Sequence, residues 1–259
     1  MTGMLSVCLL FTLGLLLGSF IGVCVHRLPR GKPVVFDVSR CDHCRARLAW
    51  RHKLPLLGFL LLHGISHCCG RPIPRQYPLV EAASGVLLLL LYWHGREAAV
   101  FLQAVLFVAL LLTGMLIDLE HRLIPNKITL PGIGAGLALA LLGRQVAWWD
   151  ALAGIFLCGG LLYGAGFLVE NIFKKPNAMG GGDIKFAAMI GAFLGWQQGL
   201  SATLLAAGAG ALFGLAEMIK RGAQDGPVEI RFGPFLAFGA VVNLLWGARF
   251  WQWYFSVSP

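Results

Sequence analysis

The sequence predicts an all-α polytopic membrane protein with about eight transmembrane helices. Of its 259 residues, 58% are hydrophobic and only 13% are charged, and the mean hydropathy is +0.74. A soluble domain usually has about 25% charged residues, and a single soluble core could not bury this much apolar surface. The composition therefore excludes collagen-like, disordered, disulfide-rich and ordinary soluble proteins.

Eight apolar segments with almost no charge are the predicted helices. Several are shorter than the ~20 residues that usually cross a bilayer, and almost no polar hinge separates the sixth from the seventh. The first lacks a basic leading region, so we expect it to be retained and not cleaved as a secretion signal. The segments are 5–25, 79–93, 98–117, 128–143, 151–169, 186–200, 201–217 and 232–248.

Positive charge is distributed unevenly among the predicted loops. Of the 21 Lys and Arg residues, all but Arg96, Arg144 and Arg249 lie in alternate loops. The positive-inside rule places these basic loops in the cytoplasm and the N-terminus outside. The net charge of +9 thus reflects topology in a lipid bilayer, and we expect no nucleic-acid partner. The four basic loops are 26–78, 118–127, 173–185 and 218–231.

Three parts are expected along the chain. Residues 1–26 form the first transmembrane helix, and residues 27–78 form a small cytoplasmic domain that contains cysteines. Residues 79–259 form a membrane core of seven helices.

Two aspartates are predicted at the cytoplasmic face of the membrane. Asp118 ends the third span, and Asp183 follows the glycines at 180–182 and opens the sixth. An ionisable group at membrane depth is costly and is a functional candidate by default. Two carboxylates that share one proton can activate a water and protonate a carbonyl. Such a pair hydrolyses peptides without a metal.

Structural interpretations of these residues remain open. Asp183 could be a helix N-cap or an ion-pair partner of Lys185, and Asp118 with Glu120 could be a solvated helix end. The position of both aspartates on one face favours function. The helix dipole would then favour Asp183 as the anion. Gly180, Gly181 and Gly182 would let an extended substrate backbone approach closely.

Four cysteines of the predicted cytoplasmic domain have spacings suited to a metal. Cys41 and Cys44 form a C-x-x-C pair, and Cys68 and Cys69 follow. Disulfides rarely persist in the cytoplasm, whereas four thiolates can hold a structural zinc in a loop too small for its own core. His67 is an alternative fourth ligand, and free thiols in a loop held by packing are the other possibility.

Five stretches, in this order, cover nearly the whole chain. They are Gly18-Ser-Phe-Ile-Gly-Val with Arg27-Leu28-Pro29, the cysteine loop running into Tyr77-Pro78-Leu79-Val80-Glu81, Asp118-Leu-Glu with Ile124-Pro125, Gly180-Gly-Gly-Asp183-Ile-Lys185, and Phe232-Gly233-Pro234-Phe235-Leu236. Together they resemble the type IV prepilin peptidases, which are membrane aspartyl proteases with a G-x-G-D motif.

The resemblance implies a bifunctional enzyme of the bacterial inner membrane. Such enzymes cut the basic leader of prepilins or pseudopilins after a glycine on the cytoplasmic side. They then methylate the new N-terminal amine with S-adenosylmethionine. Asp118 and Asp183 match the catalytic aspartates, which makes residues 79–259 the protease core, and Glu120 and Lys185 match common neighbours.

The sequence departs from the family pattern at two positions. Ser66 stands where a cysteine is usual, and Gly22 stands where an asparagine is usual. A peptidase without methyltransferase activity is therefore the alternative function. A transporter or channel subunit could also place acids beside glycine breaks, but it should show repeated halves and acids nearer the middle of the membrane, and the sequence shows neither.

Overall fold

A computed structural model describes most of the chain. The described residues are 2–34, 41, 44, 46–47, 54–95, 97–143, 145–174, 179–221 and 230–257. Parts of three predicted cytoplasmic segments, 27–78, 173–185 and 218–231, lie outside them. The chain divides into two compact units, residues 1–96 and 97–259. The domain boundaries expected from the sequence stay a prediction.

The first unit contains three helices, α1 (Thr2–Arg27), α2 (Leu57–Leu61) and α3 (Gln76–Trp93). Helices α1 and α3 pack through small residues: a Cβ on Gly18 would lie 2.6 Å from the Cα of Glu81. Small residues let helix backbones approach closely in a membrane. Gly22, which stands where the family usually has an asparagine, also lies between these helices. A Cβ on Gly22 would be in contact with the Tyr77 ring at 3.4 Å.

Glu81 also fixes the short helix α2. Its Oε2 atom accepts a hydrogen bond of 2.8 Å from the backbone N–H of Leu56, the residue before that helix. A carboxylate at this position satisfies a donor that the helix itself leaves without a partner. The contact ties the start of α2 to the first turns of α3.

The second unit is built from helices that pack around a long central one. They are α4 (Ala98–His121), α5 (Asn126–Leu141), α6 (Trp148–Phe173), α7 (Gly181–Arg221), α8 (Gly233–Val242), a π-helical turn (Asn243–Gly247) and α9 (Ala248–Val257). Residues 186–195 of α7 are all buried. Phe193 of this stretch stacks on Phe107 of α4, with ring centroids 4.7 Å apart.

Helix α7 reverses direction at Gly195, whose φ of +76° and ψ of 177° are not helical. A Cβ on Gly199 would lie 3.0 Å from the Cα of Gly191. In a continuous helix, eight residues would separate these two positions by about 12 Å. Residues 181–194 and 196–221 are therefore two antiparallel limbs. They correspond to the sixth and seventh predicted helices, which the sequence separates by almost no polar residue.

The prediction of a polytopic all-helical membrane protein is confirmed. Within the described residues, five helical stretches are long and apolar enough to cross a membrane, and α7 with both limbs counts as one of them. The helices α3 and α5, with 18 and 16 residues, are not among these five. Both match predicted segments that are shorter than a typical span.

A very close helix contact in the second unit joins α6 to the N-terminal limb of α7. A Cβ on Gly191 would collide with the carbonyl of Gly154, and the reverse also holds. We predict that Gly191→Ala lowers the midpoint of thermal unfolding by several degrees, which corresponds to about 1–3 kcal/mol of overpacking.

Gly208→Ala is the matched control, because it changes the same residue type on the same helix where a Cβ meets nothing within 4 Å. Its midpoint should equal or slightly exceed that of the wild type. Tryptophan fluorescence of the detergent-solubilised protein measures both, and equal midpoints for the two variants would contradict the packing described here.

Candidate functional site

The ends of α4 and α7 meet around the two predicted aspartates. Asp118 lies in the last turn of α4, and Asp183 lies in the first turn of α7. The segment that follows α4 packs tightly against the start of α7: a Cβ on Gly182 would lie 3.2 Å from the Cβ of Ile124. The carboxyl groups are near enough for the charge of Asp118 to act on Asp183. The fold therefore brings together the pair that the sequence predicts.

The start of α8 supplies a hydrogen-bond donor to this pair. The backbone N–H of Gly233 donates to Oδ2 of Asp118 at 3.0 Å, and Asp118 is buried, with 7% of its surface exposed. Gly233 is the first residue of α8, so a helix N-terminus faces the carboxylate. This hydrogen bond is strongest when the carboxyl of Asp118 is ionised.

Only glycine fits at position 233. A Cβ there would lie 2.7 Å from Oδ2 and 3.0 Å from the Cβ of Asp118. In the sequence, Gly233 is part of a stretch that resembles the prepilin peptidases, and the sequence predicts no role for it. Since 115 residues separate it from Asp118, spacing along the chain could not have revealed the contact.

The three glycines before Asp183 have different surroundings. A Cβ on Gly180 would lie 2.7 Å from Oδ2 of Asp183, and Gly182 packs on Ile124. A Cβ on Gly181 would meet nothing within 4 Å. A Cβ at Gly180 or Gly182 would therefore press on neighbouring atoms, whereas a Cβ at Gly181 would enter open space.

Lys185 and Glu120 lie beside the pair but bind elsewhere. The Lys185 amine donates a hydrogen bond of 2.8 Å to Oδ1 of Asn126, which opens α5. This contact joins α7 to α5. Glu120 is exposed, and its carboxylate lies 3.6 Å from Nε2 of His121.

A second cluster lies in the first unit and consists of the four predicted cysteines. The sulfur atoms of Cys41, Cys44, Cys68 and Cys69 all lie within 4.8 Å of one another. His67, the alternative ligand, is outside this group. The sulfurs of Cys41 and Cys69 are 3.8 Å apart. A tetrahedral zinc with bonds of about 2.3 Å to sulfur needs sulfur–sulfur distances of about 3.8 Å, so this donor set fits zinc.

The thiols are crowded enough to affect one another. The hydrogen bond that Cys44 donates to Cys68 over 3.1 Å raises the pKa of Cys44 to about 12. A divalent cation would replace such protons and favour the thiolates. The cluster could therefore hold zinc, and four protein ligands would leave no open position for catalysis.

Tight turns present these cysteines. In the first, the N–H of Cys41 donates to the carbonyl of Ala46 at 2.9 Å. In the second, the N–H of Ser66 donates to the carbonyl of Arg71, and the N–H of Gly70 donates to the carbonyl of Ser66, both at 2.8 Å. The second turn is closed by an antiparallel bridge between Ile65 and Pro72.

Comparison with known proteins identifies relatives over most of the chain. Residues 12–95 match a family model described as the bacterial Peptidase A24 N-terminal domain, and residues 105–215 match the type IV leader peptidase family. No solved structure shows significant similarity to the chain.

Three similar proteins all have the name prepilin leader peptidase/N-methyltransferase. The protein from Klebsiella pneumoniae is 40% identical over 76% of this chain and 89% of its own length. The one from Myxococcus xanthus is 36% identical over 87% of this chain and 67% of its own length. The one from Aeromonas hydrophila is 31% identical over 96% of this chain and 93% of its own length.

Proposed function

Because the chain belongs to the type IV leader peptidase family, we propose that it cleaves the basic leader from prepilins or pseudopilins after a glycine and N-methylates the new terminus. The observation that carries the peptidase activity is the meeting of Asp118 and Asp183 at the ends of α4 and α7. The names of the relatives support both activities.

The surroundings of the two carboxyls support a division of labour. Asp118 accepts a backbone hydrogen bond from Gly233 at the start of α8, and the charge of Asp118 acts on Asp183. Asp118 is therefore the ionised base, and Asp183 holds the shared proton. This assignment is the reverse of the one that the helix dipole alone favours at Asp183.

The reaction follows from these protonation states. Asp118 takes a proton from a water, the water oxygen bonds to the carbonyl carbon, and Asp183 protonates the carbonyl oxygen. As the tetrahedral intermediate collapses, the C–N bond breaks and Asp118 passes its proton to the departing amine. The hydroxyl of the intermediate returns its proton to Asp183, which restores the pair. The open space beside Gly181 would accept an extended substrate.

Methyl transfer is the second step. The new terminal amine attacks the methyl carbon of S-adenosylmethionine, the bond from that carbon to sulfur breaks, and the amine loses a proton to water. The methyl donor is thus a second substrate. The altered cysteine spacing does not favour a peptidase without this activity, because Cys68 restores a cluster of four thiols.

The protein belongs in the bacterial inner membrane as a multi-pass protein. The distribution of Lys and Arg supports an N-terminus outside and both carboxyls at the cytoplasmic side. This orientation would place the cleavage site where a newly made prepilin still carries its basic leader.

Incubation of the purified, detergent-solubilised protein with a prepilin and S-adenosylmethionine tests the activity by mass spectrometry. The wild type should remove the leader and add one methyl group. Asp118→Asn and Asp183→Asn should each reduce cleavage at least about 100-fold, because neither carboxyl can replace the other. Asp150→Asn, which changes an acid in the first turn of α6, should cleave normally. Near-normal cleavage by either of the first two variants would refute the pair.

Gly233→Ala tests the contact between α8 and Asp118. The added Cβ should displace the carboxylate and reduce cleavage at least about 10-fold, because the base loses its fixed position. Methylation of an already cleaved pilin should stay within about twofold of the wild type, which shows that the variant is folded. Gly208→Ala is the matched control for both measurements. A Gly233→Ala enzyme that cleaves as fast as this control would remove Gly233 from the site.

Thiol labelling tests the orientation. Leu123 and Leu142 are exposed residues at opposite ends of α5. In a Cys8→Ser background that keeps the cysteine cluster, an impermeant maleimide applied to spheroplasts should label Leu142→Cys. Leu123→Cys should react only after detergent opens the membrane. The opposite pattern would reverse the orientation, and the background without an added cysteine gives the baseline.

A further inference from the structure

Ser66 lies next to the cysteine cluster but is not one of its four candidate zinc ligands. Its side chain is buried, with 8% of the residue exposed. Its Oγ atom lies 3.2 Å from the sulfur of Cys68 and 3.5 Å from the sulfur of Cys41. Both distances are within hydrogen-bonding range for sulfur. The hydroxyl therefore lies beside two of the four sulfur atoms that would bind the metal.

The spacing within this chain gives Ser66 the position of a fourth thiol. Cys41 and Cys44 stand three positions apart on the first turn, and Ser66 and Cys69 stand three positions apart on the second. By this symmetry the fourth thiol would be at position 66. Instead it comes from Cys68, whose sulfur lies 3.1 Å from that of Cys44. The fourth thiol therefore lies two residues after the symmetric position, and a hydroxyl occupies that position.

A hydroxyl in this place is suited to donating a hydrogen bond and poorly suited to binding the metal. Structural zinc sites use thiolate and imidazole ligands, and the cluster already offers four sulfurs. Once Cys68 is a thiolate, it can only accept, so the proton between it and Ser66 must come from the serine. Hydrogen bonds from such surrounding groups orient metal ligands and adjust their affinity.

The hydrogen bond from Ser66 would restrict the position of the Cys68 sulfur, which little else fixes. It is exposed and is adjacent in sequence to another ligand, Cys69, so the chain alone constrains its sulfur poorly. Ser66, in contrast, is held at both of its backbone groups by the 2.8 Å hydrogen bonds to Arg71 and Gly70. A fixed donor can hold a ligand that is otherwise free to turn towards water.

We propose that Cys41, Cys44, Cys68 and Cys69 bind one zinc and that the Ser66 hydroxyl donates a hydrogen bond to the Cys68 thiolate, which positions this relocated ligand. The inference rests on the cysteine cluster of the first unit, so it does not depend on the proposed peptidase activity.

The experiment uses the full-length protein in detergent. Bound zinc per chain is measured by elemental analysis, affinity by competition with a chelator, and the ligand set by the absorption spectrum of the Co²⁺-substituted protein. The wild type should bind about one zinc with the spectrum of four sulfur ligands. Cys68→Ser should weaken zinc binding far more than Ser66→Ala. Cys8→Ser, the same change outside the cluster, should behave as the wild type.

The Ser66 variants separate a hydrogen-bond donor from a ligand. Ser66→Ala should keep one zinc and the four-sulfur Co²⁺ spectrum but bind roughly 10–100-fold more weakly. Ser66→Thr, which keeps the hydroxyl, should recover most of this loss. The double variant Ser66→Cys/Cys68→Ser should restore the stoichiometry and the spectrum, because it returns the fourth thiol to the symmetric position.

Four results would overturn the proposal. Wild-type affinity in Ser66→Ala would remove the role of the hydroxyl, and loss of a ligand band in that variant would make Ser66 a direct ligand. Wild-type affinity in Cys68→Ser would exclude Cys68. A wild-type chain that binds no zinc when purified under reducing conditions would remove the site itself. Measured prepilin cleavage in the same preparation would show that the peptidase function survives that last result.

Discussion

The backbone contact between Gly154 of α6 and Gly191 of α7 sets the arrangement of the second unit. Apolar side chains gain little from leaving lipid for another apolar surface, so membrane helices associate through close packing. Here the two backbones approach so closely that neither position can hold a Cβ. The contact fixes the buried N-terminal limb of α7 among its neighbours. Because a helix is rigid along its axis, it also fixes where that limb begins, which is at Asp183.

The position of the Asp118 carboxylate is set by two other helices, α4 and α8. It belongs to α4, but its carboxylate is held by the first N–H group of α8. The two aspartates therefore sit in unequal surroundings, although the chain supplies them as the same residue type. A catalytic pair needs this inequality, because one member must give a proton while the other takes one. The inequality comes from the fold, in which Asp118 accepts a hydrogen bond from the start of another helix, α8, and Asp183 lies in the first turn of its own helix, α7.

Features that depend on composition or on short spacings could be predicted from the sequence. The apolar segments predict the helices, and the scarcity of acids draws attention to Asp118 and Asp183. The two cysteine pairs indicate the cluster. The contact between Gly233 and Asp118 could not be predicted, since it joins distant parts of the chain. The reversal at Gly195 was hidden because one residue with positive φ can turn a helix without any polar loop. The place of Ser66 depends on the path of a turn, which spacing alone does not give.

The position of the aspartates also distinguishes a hydrolase from a transporter. A transporter holds its acids near the middle of the membrane, where alternating access can expose them to either side. Asp118 and Asp183 instead lie within one turn of helix ends, next to connecting segments and to the open space beside Gly181.

Peptide hydrolysis needs a water and a substrate backbone in extended form. A helical segment in lipid cannot become extended without losing its backbone hydrogen bonds. At the ends of helices the substrate can unwind into a polar environment. The geometry therefore suits cleavage at the membrane boundary, where a leader meets the apolar segment that follows it.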